Sequence, residues 1–254
     1  MRRTSATLVL FLMAGSMAFG QAAATKPAAP AKPATAAKPA TTAAAATKPT
    51  AIIDTTAGKM TCTLFPDKAP IGVANFIGLS NGTKDWKNPV SGATKHGVPL
   101  YDGTIFHRVI PQFMIQGGDP AGTGSGADPV APFKNEVSPD LKFDQPGRLA
   151  YANAGPGTNT SQFFITEVAF TGQQGQMLNG NYTIFGQCDE ASVALVKQIA
   201  AMSRDGNDRP YRPIKINHIT IQKGTGAAKP AAATAAKKPT AATKAPAAPT
   251  APKQ

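Results

Sequence analysis

Between residues 51 and 223 apolar side chains fall into short alternating or β-branched runs bounded by turn signals, and on either side the pattern disappears. The first two runs are Met60-Thr61-Cys62-Thr63-Leu64-Phe65 after Gly58, and Thr104-Ile105-Phe106-His107-Arg108-Val109-Ile110 after Asp102-Gly103. Arg148-Leu149-Ala150-Tyr151-Ala152, Gln162-Phe163-Phe164-Ile165-Thr166 and Tyr182-Thr183-Ile184-Phe185 follow. Ile214, Ile216, His218 or Ile219, and Ile221 close the series. Asn81-Gly82, Asp102-Gly103, Pro146-Gly147 and Asn179-Gly180 punctuate the runs, a pattern that predicts antiparallel strands. Two segments follow a helical period instead. One starts at Pro70, places Val73, Phe76 and Ile77 on one face, and ends at Asn81-Gly82. The other is capped by Asp189, repeats Val193, Val196, Ile199 and Ala200, and carries Lys197 toward its C-terminus. An all-β domain with two helices follows, and periodicity alone does not choose between barrel and sandwich.

Charge separates the middle from the ends. The chain has 254 residues, 26 Lys and Arg against 14 Asp and Glu, and a formal net charge of +12. Eleven of the 26 basic residues lie in 1–50 and 224–254, which hold no acid, so 51–223 is left near neutrality at +1. Arg2 and Arg3 precede an apolar run from Leu8 through Phe19, and Ala18-Phe19-Gly20 supplies small residues at the two positions a signal peptidase reads. Residues 1–20 therefore read as an export signal cleaved after Gly20, since the run is shorter than the roughly 20 residues a membrane span needs. The mature protein is expected to be periplasmic or secreted. Residues 21–50 and 224–254 repeat Lys-Pro and Ala-Pro within Ala and Thr, as at Lys32-Pro33 and Lys229-Pro230. Such sequence buries too little apolar area to offset the entropy of ordering, so both segments are expected to remain disordered spacers. Their lysines allow weak electrostatic contact with an anionic envelope surface, and nothing in them specifies a nucleic acid.

Most familiar catalytic patterns are absent. His96, His107 and His218 are scattered without metal-ligand spacing, and no GxSxG elbow occurs, so neither metal nor cofactor is called for. Gly122-Thr123-Gly124-Ser125-Gly126 invites a phosphate-loop reading, but no Gly-Lys-Ser/Thr follows, and a flexible loop beside a binding groove is the better expectation. Cys62 and Cys188 are the only cysteines; an exported protein can oxidise such a pair, and two buried free thiols fit the sequence equally well.

Two dense blocks carry more. One runs Phe106-His107-Arg108-Val109-Ile110-Pro111-Gln112-Phe113-Met114-Ile115-Gln116-Gly117-Gly118-Asp119; the other runs Ala152-Asn153-Ala154-Gly155-Pro156-Gly157-Thr158-Asn159-Thr160-Ser161-Gln162-Phe163-Phe164-Ile165. Together they strongly resemble the cyclophilins, the peptidyl-prolyl cis-trans isomerases, and the resemblance extends from about Thr55 to Gly186. It implies a closed eight-stranded antiparallel barrel capped by a helix at each end, acting on proline-containing unfolded or flexible polypeptides; nothing in the sequence argues for a dimer, so a monomer is expected. By the same resemblance Arg108 matches the catalytic arginine, and Phe113, Met114, Phe164 and Leu178 match the proline pocket. Gln116 and Gln162 match polar groups bordering the groove, and Ala152 and Asn153 match the edge that holds substrate backbone. Met177 stands where many members have tryptophan and Tyr182 where they have histidine, so isomerase activity is implied and cyclosporin sensitivity is not. Residues 83–99, with the only tryptophan, Trp86, form a longer loop than in compact members and either cover the domain or meet substrate.

The residue types suit this chemistry. Rotation about a peptide bond crosses roughly 18–20 kcal/mol because the nitrogen lone pair is delocalised into the carbonyl. A catalyst needs an apolar slot for the proline ring and a donor aimed at the nitrogen as it pyramidalises, and Arg108 is the residue of the first block that presents one. His107 is expected to pack or to support Arg108, because the reaction moves no proton. A binding module holding proline segments without turnover, and a surface binder acting through basic tails, remain the competing classes.

Overall fold

The computed structural model describes residues 48–224, so the expected export signal at 1–20, most of 21–50 and nearly all of the C-terminal segment lie outside the described residues. The described residues include a few before the expected boundary at 51, and these are packed on the domain. The Pro49 carbonyl accepts the Leu64 N–H at 2.8 Å, and the Lys48 ammonium lies 3.3 Å from Asp67 and 4.6 Å above the Phe65 ring.

A hairpin opens the fold. Strand β1 (Thr50–Thr55) buries Ala51, Ile53 and Thr55, and β2 (Gly58–Leu64) buries Met60, Cys62 and Leu64, as period two requires. Helix α1 (Pro70–Asn81) begins at the proline and ends at Gly82, whose φ of 70° suits glycine. A Cβ on Gly82 would stand 2.8 Å from the Val98 backbone, so only glycine fits. Ala69 offers no cap; the Glu136 carboxylate accepts the Ile71 and Gly72 N–H groups at 2.9 and 2.7 Å instead. The loop 83–99 folds into a small hairpin of β3 (Trp86–Lys87) and β4 (Thr94–Lys95). Trp86 is buried there, its indole N–H donating to the Val98 carbonyl at 2.8 Å, so it covers the domain.

Strands β5 (Arg108–Ile110), β6 (Met114–Gly117), β7 (Arg148–Tyr151) and β8 (Phe163–Thr166) follow, then helix α2 (Gly172–Leu178) and β9 (Ile184–Cys188). Helix α3 (Glu190–Ala200) is capped as expected, Asp189 accepting the Ser192 N–H at 2.8 Å, and β10 (Ile216–Gln222) ends the fold. Eight strands form one antiparallel sheet in the order β10-β1-β2-β9-β7-β8-β6-β5. Two expectations are corrected here. Among the described residues there are three helices, because Gly172-Gln-Gln-Gly-Gln-Met-Leu178 hides α2 behind two glycines and a face burying only Gly175 and Leu178. The sheet is also not a fully laddered closed barrel: β5 and β10 are its two edges. They approach through one isolated bridge, Ile105 to Lys215, with the Phe106 N–H on the Ile214 carbonyl at 3.0 Å. The run 104–110 was expected to be one strand; only Arg108–Ile110 pairs with β6, since 104–107 turns away to make that edge contact.

Two cores share the sheet. Leu149, Tyr151, Phe163, Ile165 and Ile115 face the first, with Phe76 of α1 and Val196 of α3. Ala150, Phe164 and Met114 face the second, with Phe143, Phe170 and Leu178. Both faces of β7 and β8 are thus buried, which is why those runs read as continuously apolar. The second core is the floor of the site.

Candidate functional site

Register builds the site. Arg108 of β5 pairs with Gln116 of β6, Gln116 pairs with Phe164 of β8, and Phe164 pairs with Ala150 of β7, so one row crosses four strands on the outer face. Ile110, Met114 and Thr166 form the next row. Between β5 and β6 the chain turns through Gln112 at φ 60°, where its N–H donates to the Glu167 carboxylate at 2.6 Å, and Phe113 follows.

Nine of the eleven expected site residues line a single cavity of about 170 Å³: Arg108, Phe113, Met114, Gln116, Ala152, Asn153, Phe164, Leu178 and Tyr182. Its apolar walls are braced from behind. Phe164 stacks on Phe143 with centroids 5.7 Å apart and meets Tyr182 edge-on at 5.6 Å, while Phe113 meets Phe170 edge-on at 5.4 Å. Gln162 lines an adjoining cavity and accepts from the Gln116 amide at 3.0 Å. Met177 is not brought to the cavity: it is 67% exposed, one residue before Leu178, because the short helix turns its side chain outward. Phe143 and Phe170 escaped the sequence reading, being single aromatics outside any periodic run.

Arg108 stands at the mouth, its side chain 44% exposed, with Nε 3.7 Å from the Asp208 carboxylate. Asp208 comes from a loop a hundred residues away and carries no local signal of its role. Its φ is 62°, its carbonyl accepts the Val109 N–H at 2.9 Å, and its other carboxylate oxygen accepts from Arg204 Nε at 3.0 Å. The loop is therefore tied to β5 by backbone and side chain together.

Behind Arg108, His107 is buried, and neither ring nitrogen has a hydrogen-bond partner among the described residues. Burial pushes its pKa below the ordinary 6.5; Arg209 and Arg108 act the same way, and Asp119 opposes them. The ring packs on Gly124, where φ is 77° and a Cβ would lie 2.9 Å away. Asp119 decides the glycine-rich loop. Its carboxylate accepts the Ala121, Thr123 and Gly124 N–H groups at 2.9, 2.8 and 2.8 Å, so those amides hold a side chain of the same protein in place of a phosphate.

Sequence comparison points the same way. The family model described as cyclophilin type peptidyl-prolyl cis-trans isomerase/CLD matches residues 50–221. Peptidyl-prolyl cis-trans isomerase A of Mycobacterium tuberculosis is 50% identical over 173 residues, which is 68% of this chain and 91% of that protein. Peptidyl-prolyl cis-trans isomerase B of Streptomyces anulatus is 45% identical over 174 residues, 68% of this chain and 95% of that one. A cyclophilin type isomerase of Cryptosporidium parvum, crystallised in the presence of the dipeptide Ala-Pro, superposes with a TM-score of 0.55 at 35% identity, covering 68% of this chain and 98% of that one. The matched stretch contains every residue of the cavity, and the chain belongs to the cyclophilin-type peptidyl-prolyl cis-trans isomerases.

Proposed function

We propose that this isomerase is exported and speeds the folding of secreted or envelope proteins, with Arg108 as the catalytic group. The observation that carries the mechanism is the register row: Arg108 and Gln116 stand beside Phe164 at the rim of an apolar cavity. A proline ring seated on Phe113, Met114, Phe164 and Leu178 leaves its nitrogen near the guanidinium. As the bond twists, delocalisation is lost and the nitrogen lone pair becomes an acceptor; an N–H held there favours the twisted state over either planar one. Gln116, Asn153 and the backbone at Ala152 hold the flanking peptide, so rotation is confined to one side. No bond is made to the protein and no proton is transferred.

Substrates are proline-containing unfolded or flexible polypeptides, consistent with the Ala-Pro dipeptide supplied to the Cryptosporidium relative. Residues 1–20 direct export, the lysine-rich ends make weak contacts with anionic envelope surfaces, and the folded unit acts as a monomer. The deciding experiment is a protease-free isomerisation assay on a proline peptide with the wild type and Arg108→Ala. Loss of one preorganised donor costs about 10²–10³ in rate; the half-exposed position of Arg108 places the expected loss at the lower end. Equal rates would refute the mechanism. N-terminal sequencing of the mature protein tests export, with Gln21 as the expected first residue.

A further inference from the structure

The proline cavity does not end at Gln116. A second cavity of about 320 Å³ shares Gln116, Ala152 and Asn153 with it and continues past Gln162 to Ser125 and Asp128. Asp128 is an exposed carboxylate on an otherwise uncharged wall. A peptide with its proline in the first cavity lays neighbouring residues over the second. Two residues of extended chain cover about 7 Å, so a side chain two positions from the proline lies over the second cavity, where Asp128 is the one charged lining residue and suits a lysine.

The chain itself carries that pattern. Lys237-Lys238-Pro239 and Lys244-Ala245-Pro246 each set a lysine two residues before a proline, with no lysine within two residues after it. Lys237 lies thirteen positions after Gly224, the last described residue. That length spans up to roughly 45 Å when extended, whereas a domain of this size is roughly 40 Å across. A segment on such a tether meets the site at an effective concentration that the tether length sets, up to the order of millimolar. We propose that residues 237–246 are an intramolecular substrate of the isomerase site, read through the lysine–Asp128 pair, and that they compete there with other polypeptides. This rests on the isomerase reading of the cavity and adds the regulation of that site.

The test is exchange spectroscopy on the full chain, following the cis and trans signals of Pro239 and Pro246. Uncatalysed exchange takes tens to hundreds of seconds. The expected result is exchange at least about 100-fold faster, within the 10²–10³ that a donor of this kind supplies, independent of protein concentration and lost in Arg108→Ala. Asp128→Asn should slow it several-fold, and Pro239→Ala with Pro246→Ala should lower the apparent KM for an added proline peptide about twofold. Uncatalysed tail exchange alongside normal turnover of the added peptide overturns the inference and leaves the isomerase reading intact. Failure of both overturns the isomerase reading and this inference with it. Acceleration proportional to protein concentration assigns the tail to a second copy and overturns the intramolecular claim, and an unchanged Asp128→Asn overturns the charge pairing.

Discussion

Reduction of the Cys62–Cys188 disulfide should weaken the fold without disturbing the site. The two cysteines are bonded and stand directly opposite each other on β2 and β9, within a ladder of only three residue pairs. That ladder joins β10, β1 and β2 to the other five strands. The bond closes a loop with a sequence separation of 126. Chain-entropy arithmetic for such a loop gives a ceiling of about 5 kcal/mol at 25 °C, a large part of the roughly 5–15 kcal/mol that holds a domain together. With a urea slope of about 2 kcal/mol per molar, the midpoint should fall by up to about 2.5 M on reduction. The assay is urea unfolding of the oxidised and reduced full chain, followed by far-UV circular dichroism and by fluorescence of the buried Trp86. Free-thiol titration defines each state. Isomerase activity well below the transition should be unchanged, since the cavity lining comes from β5 through α2, Ala152, Asn153 and Tyr182. A midpoint shift under about 0.3 M, or two titratable thiols in the unreduced protein, would refute the reasoning.

Asp208→Asn tests how Arg108 is aimed. The pair is part-exposed and 3.7 Å apart, so about 0.5–1 kcal/mol is at stake, a two- to fivefold fall in kcat/KM. The fall should be in kcat more than KM, should shrink in high salt, and should vanish in an Arg108→Ala background; additive losses would count against it. His107 sets a pH limb of stability. Burial holds it neutral below 6.5 in the fold, with Asp119 opposing and Arg209 and Arg108 reinforcing, so the unfolded chain binds more protons there. Stability should therefore fall as pH drops below about 6.5 and level off under the folded value. Asp54, Asp140 and Asp144, all held below 3.8, lose their contribution only at more acid pH, so the two limbs separate. Chemical denaturation across about pH 4–8 with His107→Gln should show the upper limb flattened; an unchanged slope would remove His107 from the account.

Local physics was legible in the residues. Pro70 and Gly82 bound α1, Asp189 and the repeat of Val193, Val196 and Ile199 mark α3, and the two long blocks carry the family. Where local pattern was ambiguous, the reading thinned. β1 begins in Thr and Ala like the segment before it, and α2 lacks an apolar face. The resemblance named the cavity residues and put Met177 among them; the structure turns that side chain outward, because its direction depends on how a seven-residue helix rotates.

The sequence by itself determined the type of most elements, the near-neutral middle between basic ends, and most of the residues that line the candidate cavity. Only the tertiary structure decided the open edge between β5 and β10, the cysteine pairing, the filling of the glycine-rich loop by Asp119, and the approach of Asp208 to Arg108. Capping, turns and periodicity act over a few residues and are written locally. Strand register and loop docking join residues a hundred or more positions apart, and their outcome depends on how the whole sheet curls.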